Sequence, residues 1–355
     1  MQAIIREYLS SLEPGELQEF GNMSLFPLFS PRENGQRYIT MKEALGQGTL
    51  KIREMGATGS VPELRAINRG DVPVLLLDGE ELAGAKQNRV LNTTILLKER
   101  SETIIPVSCT EQGRWSSASP AFYDSGIVMS PRIRKAKSRS VTMNVETSGK
   151  FQSNQSRVWQ DIQCMAGSAE VHSPTGAMKD IHVSRELDLG RYMRFFELFP
   201  GQKGLLVLIG GRVEGFDAVS LAPAYAVLHG RLVKSYAMDA LLREGKKGPG
   251  EEVRREKAMA FIDEVRECGG KGFPSVGLGT DVRFRGGRIV GSSLVYRDSV
   301  IHAAFFRRGQ SRGEGEHGNF TSFRSRRDFR AGSYTDKEAP YGREGEGQPY
   351  DEEII

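Results

Sequence analysis

Two stretches of the chain put chemically capable side chains where the surrounding pattern asks for β-strand. The first, LLLDGEELAGAKQNRVLNTTILL at 75–97, sets Glu80, Glu81, Lys86, Gln87, Asn88, Arg89 and Asn92 between apolar runs. The second, IPVSCTEQGRW at 105–115, adds Cys109, Glu111, Arg114 and Trp115. Asn, Glu and Lys are poor strand formers, and such conflicts with propensity gather at functional or strained sites. Glu80, Glu81 and Glu111 have general acid or base chemistry if burial raises a pKa. Lys86, Arg89 and Arg114 suit the anionic groups of a ligand. Gln87 and Asn88 suit its hydroxyls, with Asn92 in the same polar set. Cys109 as a nucleophile needs a histidine beside it, and the five histidines lie far from it in sequence. Trp115 joins the ligand-binding set, although a core anchor is the more ordinary role for it and for Trp159. The competing reading is structural, because cross-strand charge pairs and charged hairpin edges are common in sheets. No recognised ligand spacing joins these carboxylates to a histidine, so no metal is expected, and no cofactor can be named.

The elements needed to position these groups are mostly strands. Short β-branched runs fill 50–111: LKIREM, PVLLL, RVLNTTILL and TIIPVSC, parted by Asp78-Gly79 and Ala83-Gly84-Ala85. A three-stranded meander is expected over 281–306, where DVRFR meets RIVGSSLVY across Gly286-Gly287 and VIHAAFF follows Arg297-Asp298-Ser299. Helices are predicted over 251–268, 223–242 and 155–166. Strands joined by short turns, with helices in blocks, predict an α+β fold. Its sheet is mainly antiparallel, sandwich- or barrel-like, with a few packed helices. GEELAGAK at 79–86 fails as a P-loop, since Ala85 precedes the lysine, Gln87 stands for Ser/Thr and a strand follows. GEGEHG at 313–318 opens no helix and brings two glutamates to an anion site.

A chain of 355 residues can bury a full core without staples, and a net charge of +4 does not call for nucleic acid. Three scattered cysteines indicate no disulfide framework. No uninterrupted apolar run is long enough for a secretory signal or membrane helix, so a cytoplasmic location without membrane contact is expected. From Arg307 to Glu353 there is no Leu, Ile, Val or Met, and 307–355 reads as a disordered tail. The remaining 1–306 is expected as one α+β domain. The alternative is halves 1–125 and 150–306, joined by the polar segment 116–149. PRIRKAKSR at 131–139 carries five basic residues in nine and reads as a solvated loop. A non-catalytic adaptor using that loop or the tail is the alternative to a ligand-binding domain.

GEELAGAKQNR, Asn92, PVSCTEQGRW and LVYRDSVIHAAFF resemble the bacterial and archaeal domain family associated with ADP-ribosylglycohydrolase and rhodanese-phosphatase genes. The resemblance covers about 1–306. It implies, by gene context, a role near ADP-ribose, NAD or nucleotide metabolism, with an ADP-ribose-like ligand. Carried over by position, it marks Glu80, Glu81, Lys86, Gln87, Asn88, Cys109, Glu111, Arg114 and Trp115. The segment 130–150 and the tail fall outside the family pattern, and oligomeric state is not implied.

Overall fold

A computed structural model describes residues 1–32, 36–56, 62–243 and 248–309. The expected tail lies outside these residues from position 310 onward. The fold is α+β, with mostly antiparallel sheets and, among the described residues, eight helices.

The largest sheet has nine strands, all paired antiparallel. Its centre is Gly204–Ile209 beside Arg212–Val219, followed outward by the predicted meander Ser299–Arg307, Ile289–Tyr296 and Thr280–Gly286. Side chains alternate along a strand. Leu206 and Leu208 therefore meet Phe261, Ile262 and Val265 of helix Glu251–Glu267 and Ile5, Tyr8 and Leu9 of helix Gln2–Ser10. Leu205, Val207 and Ile209 turn to the opposite core, with Tyr225, Leu228, Leu232 and Tyr236 of helix Ala222–Leu241. Burial on both faces explains why GLLVLI is apolar without alternation.

The second sheet has six strands in the order Phe122–Val128, Glu80–Gly84, Arg89–Leu91, Ser101–Cys109, Glu63–Asn68 and Leu50–Glu54. A three-stranded sheet of Ile95–Leu97, Val74–Leu76 and Ile39–Thr40 shares its core. RVLNTTILL thus divides, Arg89–Leu91 serving one sheet and Ile95–Leu97 the other.

The segment 131–139 is not a solvated loop. It lies in the 18-residue helix Pro131–Ser148, entered at Ser130-Pro131 and closed by Gly149 with φ +71°. Arg134 and Lys137 are fully buried there. Arg134 donates Nη1 and Nη2 to Asp217 at 3.0 and 2.7 Å and lies 3.5 Å from Asp78. Lys137 donates to Asp78 and to the Leu91 carbonyl. Two cations thus face two carboxylates deep in the core, with Tyr236 Oη donating to Asp217 at 2.9 Å. Asp78-Gly79 serves this network as well as the turn. Gly79 has φ +87°, and a Cβ there would lie 2.8 Å from the Arg134 side chain. Among the described residues no helix is long and apolar enough to cross a membrane.

Candidate functional site

Strands Glu80–Gly84 and Arg89–Leu91 meet in a tight turn at 85–88. Ala85 takes a left-handed φ of +41°, a conformation uncommon outside glycine. Its carbonyl accepts Arg114 Nη1 at 2.6 Å and the Ala118 amide at 2.8 Å, while its own amide donates to Ser119 Oγ at 2.9 Å. That held turn buries Gln87 and Asn88.

Glu111 lies just past the end of Ser101–Cys109, bridged to Ala177. Its carboxylate accepts four bonds: Arg114 Nε at 2.9 Å, Arg114 Nη2 at 2.6 Å, Thr175 Oγ1 at 2.9 Å and the Asn88 amide at 3.1 Å. Burial opposes the charge, but the Arg114 guanidinium, the Asn88 amide and the Thr175 hydroxyl outweigh it and hold the carboxyl below the usual range. Such a group is a latch tying three segments together and a poor base. Glu111→Gln is expected to cost about 1.5–3 kcal/mol of unfolding free energy, the worth of hydrogen bonds to a charged group. A larger loss is not expected, because Arg114 keeps the Ala85, Gly84 and Ser116 carbonyls. Urea unfolding beside wild type checks this, and an unchanged midpoint would refute the latch.

Beside the latch, Arg89, Gln87, Cys109 and two tryptophans form a corner. Arg89 is completely buried and donates Nη1 to Gln87 Oε1 at 2.8 Å. Its Nε and Nη2 have no hydrogen-bond partner among the described residues, and Nη2 lies 3.9 Å from Glu54. Trp115 covers this corner, its ring centre 5.7 Å from the Arg89 guanidinium and 5.5 Å from Lys86 Nζ. Trp115 is 50% exposed, so it is no core anchor. Trp159 is partly buried, with its indole N–H unpartnered among the described residues. The Cys109 sulfur lies 3.1 Å from both Gln87 Oε1 and the Glu111 carbonyl, its single thiol proton shared between these acceptors, and burial pushes its pKa up. It rests as a thiol without a base to activate it among these partners.

The remaining candidates stand apart. Asn92 accepts from Ser108 Oγ at 2.6 Å and donates to the Phe151 carbonyl at 3.1 Å, pinning strand to loop. Glu81 accepts Thr110 Oγ1 at 2.7 Å through one oxygen, and its other oxygen is buried without a partner among the described residues. Burial, against the Thr110 bond, pushes its pKa up to about 7. Glu80 receives the Leu77 amide at 2.8 Å and Arg231 Nη1 at 2.7 Å. Burial outweighs Arg231 and, with Asp124 adding to it, takes the Glu80 pKa up to about 7. Of three carboxylates expected to carry chemistry, these two sit near the pKa that proton transfer at neutral pH favours.

A family model described as the ARG and Rhodanese-Phosphatase-superfamily-associated Protein domain matches residues 11–306. The chain belongs to this family. No curated protein and no solved structure matches it. The ARG and Rhodanese-Phosphatase-superfamily-associated domain ends where the last sheet strand does, within Ser299–Arg307. The site residues quoted above all lie inside the matched span. Sequence reasoning missed Arg231, which holds Glu80 and pairs with both oxygens of Asp124 at 3.1 and 2.8 Å. It sits in a helix whose apolar periodicity was the only visible signal, and nothing in that pattern points to strand Glu80–Gly84.

Proposed function

We propose that this domain binds a small phosphorylated, ADP-ribose-like ligand at the corner of Lys86, Arg89 and Trp115, with Gln87 and Trp159 beside it. The observation that carries the reading is Arg89. A fully buried guanidinium with two unpartnered nitrogens among the described residues is costly, and a ligand's anionic oxygens would repay that cost. Trp115 supports it, since a half-exposed indole beside two cations offers a stacking face to a base or ribose. Membership of a family described by its association with ARG and the rhodanese-phosphatase superfamily points the same way, as context rather than mechanism. The adaptor reading is weakened, because the basic segment is a helix that spends Arg134 and Lys137 inside the core.

The test compares ADP-ribose, NAD and AMP by thermal shift and calorimetry. A true ligand at one hundred times its Kd should stabilise the protein by about 2.7 kcal/mol. Trp115→Ala should leave stability nearly unchanged but weaken that ligand by about 1–3 kcal/mol, the worth of one stacked base. If none of the three shifts the wild type, or Trp115→Ala binds as well as wild type, the site is not here.

A further inference from the structure

A cleft of about 490 Å³ opens beside Arg231, the partner of Glu80, and the proposed corner does not use it. Helix Ala222–Leu241 supplies Val227, Arg231 and Lys234 to it, residues spaced to share one helix face. Lys42 comes from the short helix Met41–Gly46, set in place by a capping box between Thr40 and Glu43. Asp124 comes from Phe122–Val128, where a bulge between Asp124 and Val128 shapes the wall. Met193 closes the apolar side and packs over Gly230, where a Cβ would lie 3.1 Å from its methyl.

The charges do not balance. Arg231 is buried and already matched by Glu80 at 2.7 Å and Asp124 at 2.8 Å. Lys42 and Lys234 line the same cleft, and neither has a hydrogen-bond or ion-pair partner among the described residues. Beside Lys234, His182 is buried and neutral, its pKa pushed down to about 4 by burial and then by Lys234, so it adds no further positive charge to the cleft. Three cations against two carboxylates leave one positive charge in excess. The two lysines without a pair, exposed Lys42 and partly buried Lys234, line a cleft of small-molecule size with an apolar wall, which describes an anion site with room for an organic body. We infer that this cleft is a second ligand site, taking the phosphate of a small organic phosphate on Lys42 and Lys234 and its body against Met193 and Val227.

Phenyl phosphate is the probe, titrated into the full chain and read by the rise in Tm and by ³¹P line broadening. A saturable rise is expected, absent with chloride at matched ionic strength. Lys42→Gln and Lys234→Gln, at positions without structural partners, should each weaken binding by about tenfold or more. Trp115→Ala should keep the response that depends on Lys42 and Lys234. A response matched by chloride, or one that survives both lysine substitutions, overturns the inference. Loss of the response in Trp115→Ala places the phosphate at the Arg89 corner instead, which overturns this inference and leaves the proposed function standing.

Discussion

Asp217→Asn is expected to lower the unfolding free energy by about 3–5 kcal/mol at neutral pH, the cost of breaking a buried pair. The carboxylate is 1% exposed, accepts Arg134 Nη1 and Nη2 and the Tyr236 hydroxyl, and lies 3.4 Å from His302 Nε2. An amide keeps the shape but offers one acceptor oxygen and no charge, leaving a completely buried guanidinium with only Asp78 as counter-charge, which Lys137 already claims. Burial works against the Asp217 charge, yet Arg134 and then His302 outweigh it and hold its pKa well below the usual range. A depressed folded-state pKa contributes stability above the unfolded value, about 3.9, that is lost as pH falls through the folded one. The gap between wild type and variant should therefore be full at pH 7 and shrink below about pH 4. Adding Arg134→Met to the variant should recover part of the loss, since the stranded cation is then gone. A gap under about 1 kcal/mol in urea titrations, or one independent of pH, would show that the network does not carry the core.

That network also explains what the sequence hid. The meander over 281–306 was legible because glycine turns and β-branched runs are local signals, and all three strands form there. Helix Pro131–Ser148 was not, although Ser130-Pro131 and Gly149 mark its ends. Its inward stripe is Ile133, Lys137, Val141 and Val145, and the lysine interrupts the apolar period that marks a helix. Lys137 tolerates that position only because Asp78, 59 residues earlier, awaits it. No local rule reads such a pairing.

The polar cluster at 80–115 was legible as a departure from strand composition, but composition cannot assign the roles within it. Alternation along an extended 103–111 would set Cys109 and Glu111 on one face, but the strand ends at Cys109, and Glu111 turns to Arg114 and Thr175. Alternation does separate Glu80 from Glu81, sending one to Arg231 and the other to Thr110. Which neighbour each meets depends on elements far away in sequence.

Glu81→Gln should make the protein more stable above neutral pH, against the usual direction of substitutions at buried polar sites. Its carboxyl is completely buried, and one oxygen has no partner among the described residues. Burial takes its pKa from the ordinary 4.5 to about 7. A raised folded-state pKa means stability fully present below the unfolded value, about 4.3, and lost as pH rises through 7. At 1.36 kcal/mol per unit, the ionised carboxylate costs the fold roughly 3–4 kcal/mol once that rise is complete. Glutamine matches the protonated acid in shape and still accepts from Thr110 Oγ1. The two proteins should therefore be alike below about pH 4 and diverge by roughly 3–4 kcal/mol at pH 8, with the variant ahead. Denaturant midpoints at four or five pH values measure this directly. A difference that does not change with pH would mean Glu81 stays ionised in the fold, removing it as a neutral-pH proton donor. A difference that opens as expected identifies a carboxylate that weakens the fold where it stands, which is how a group retained for chemistry behaves.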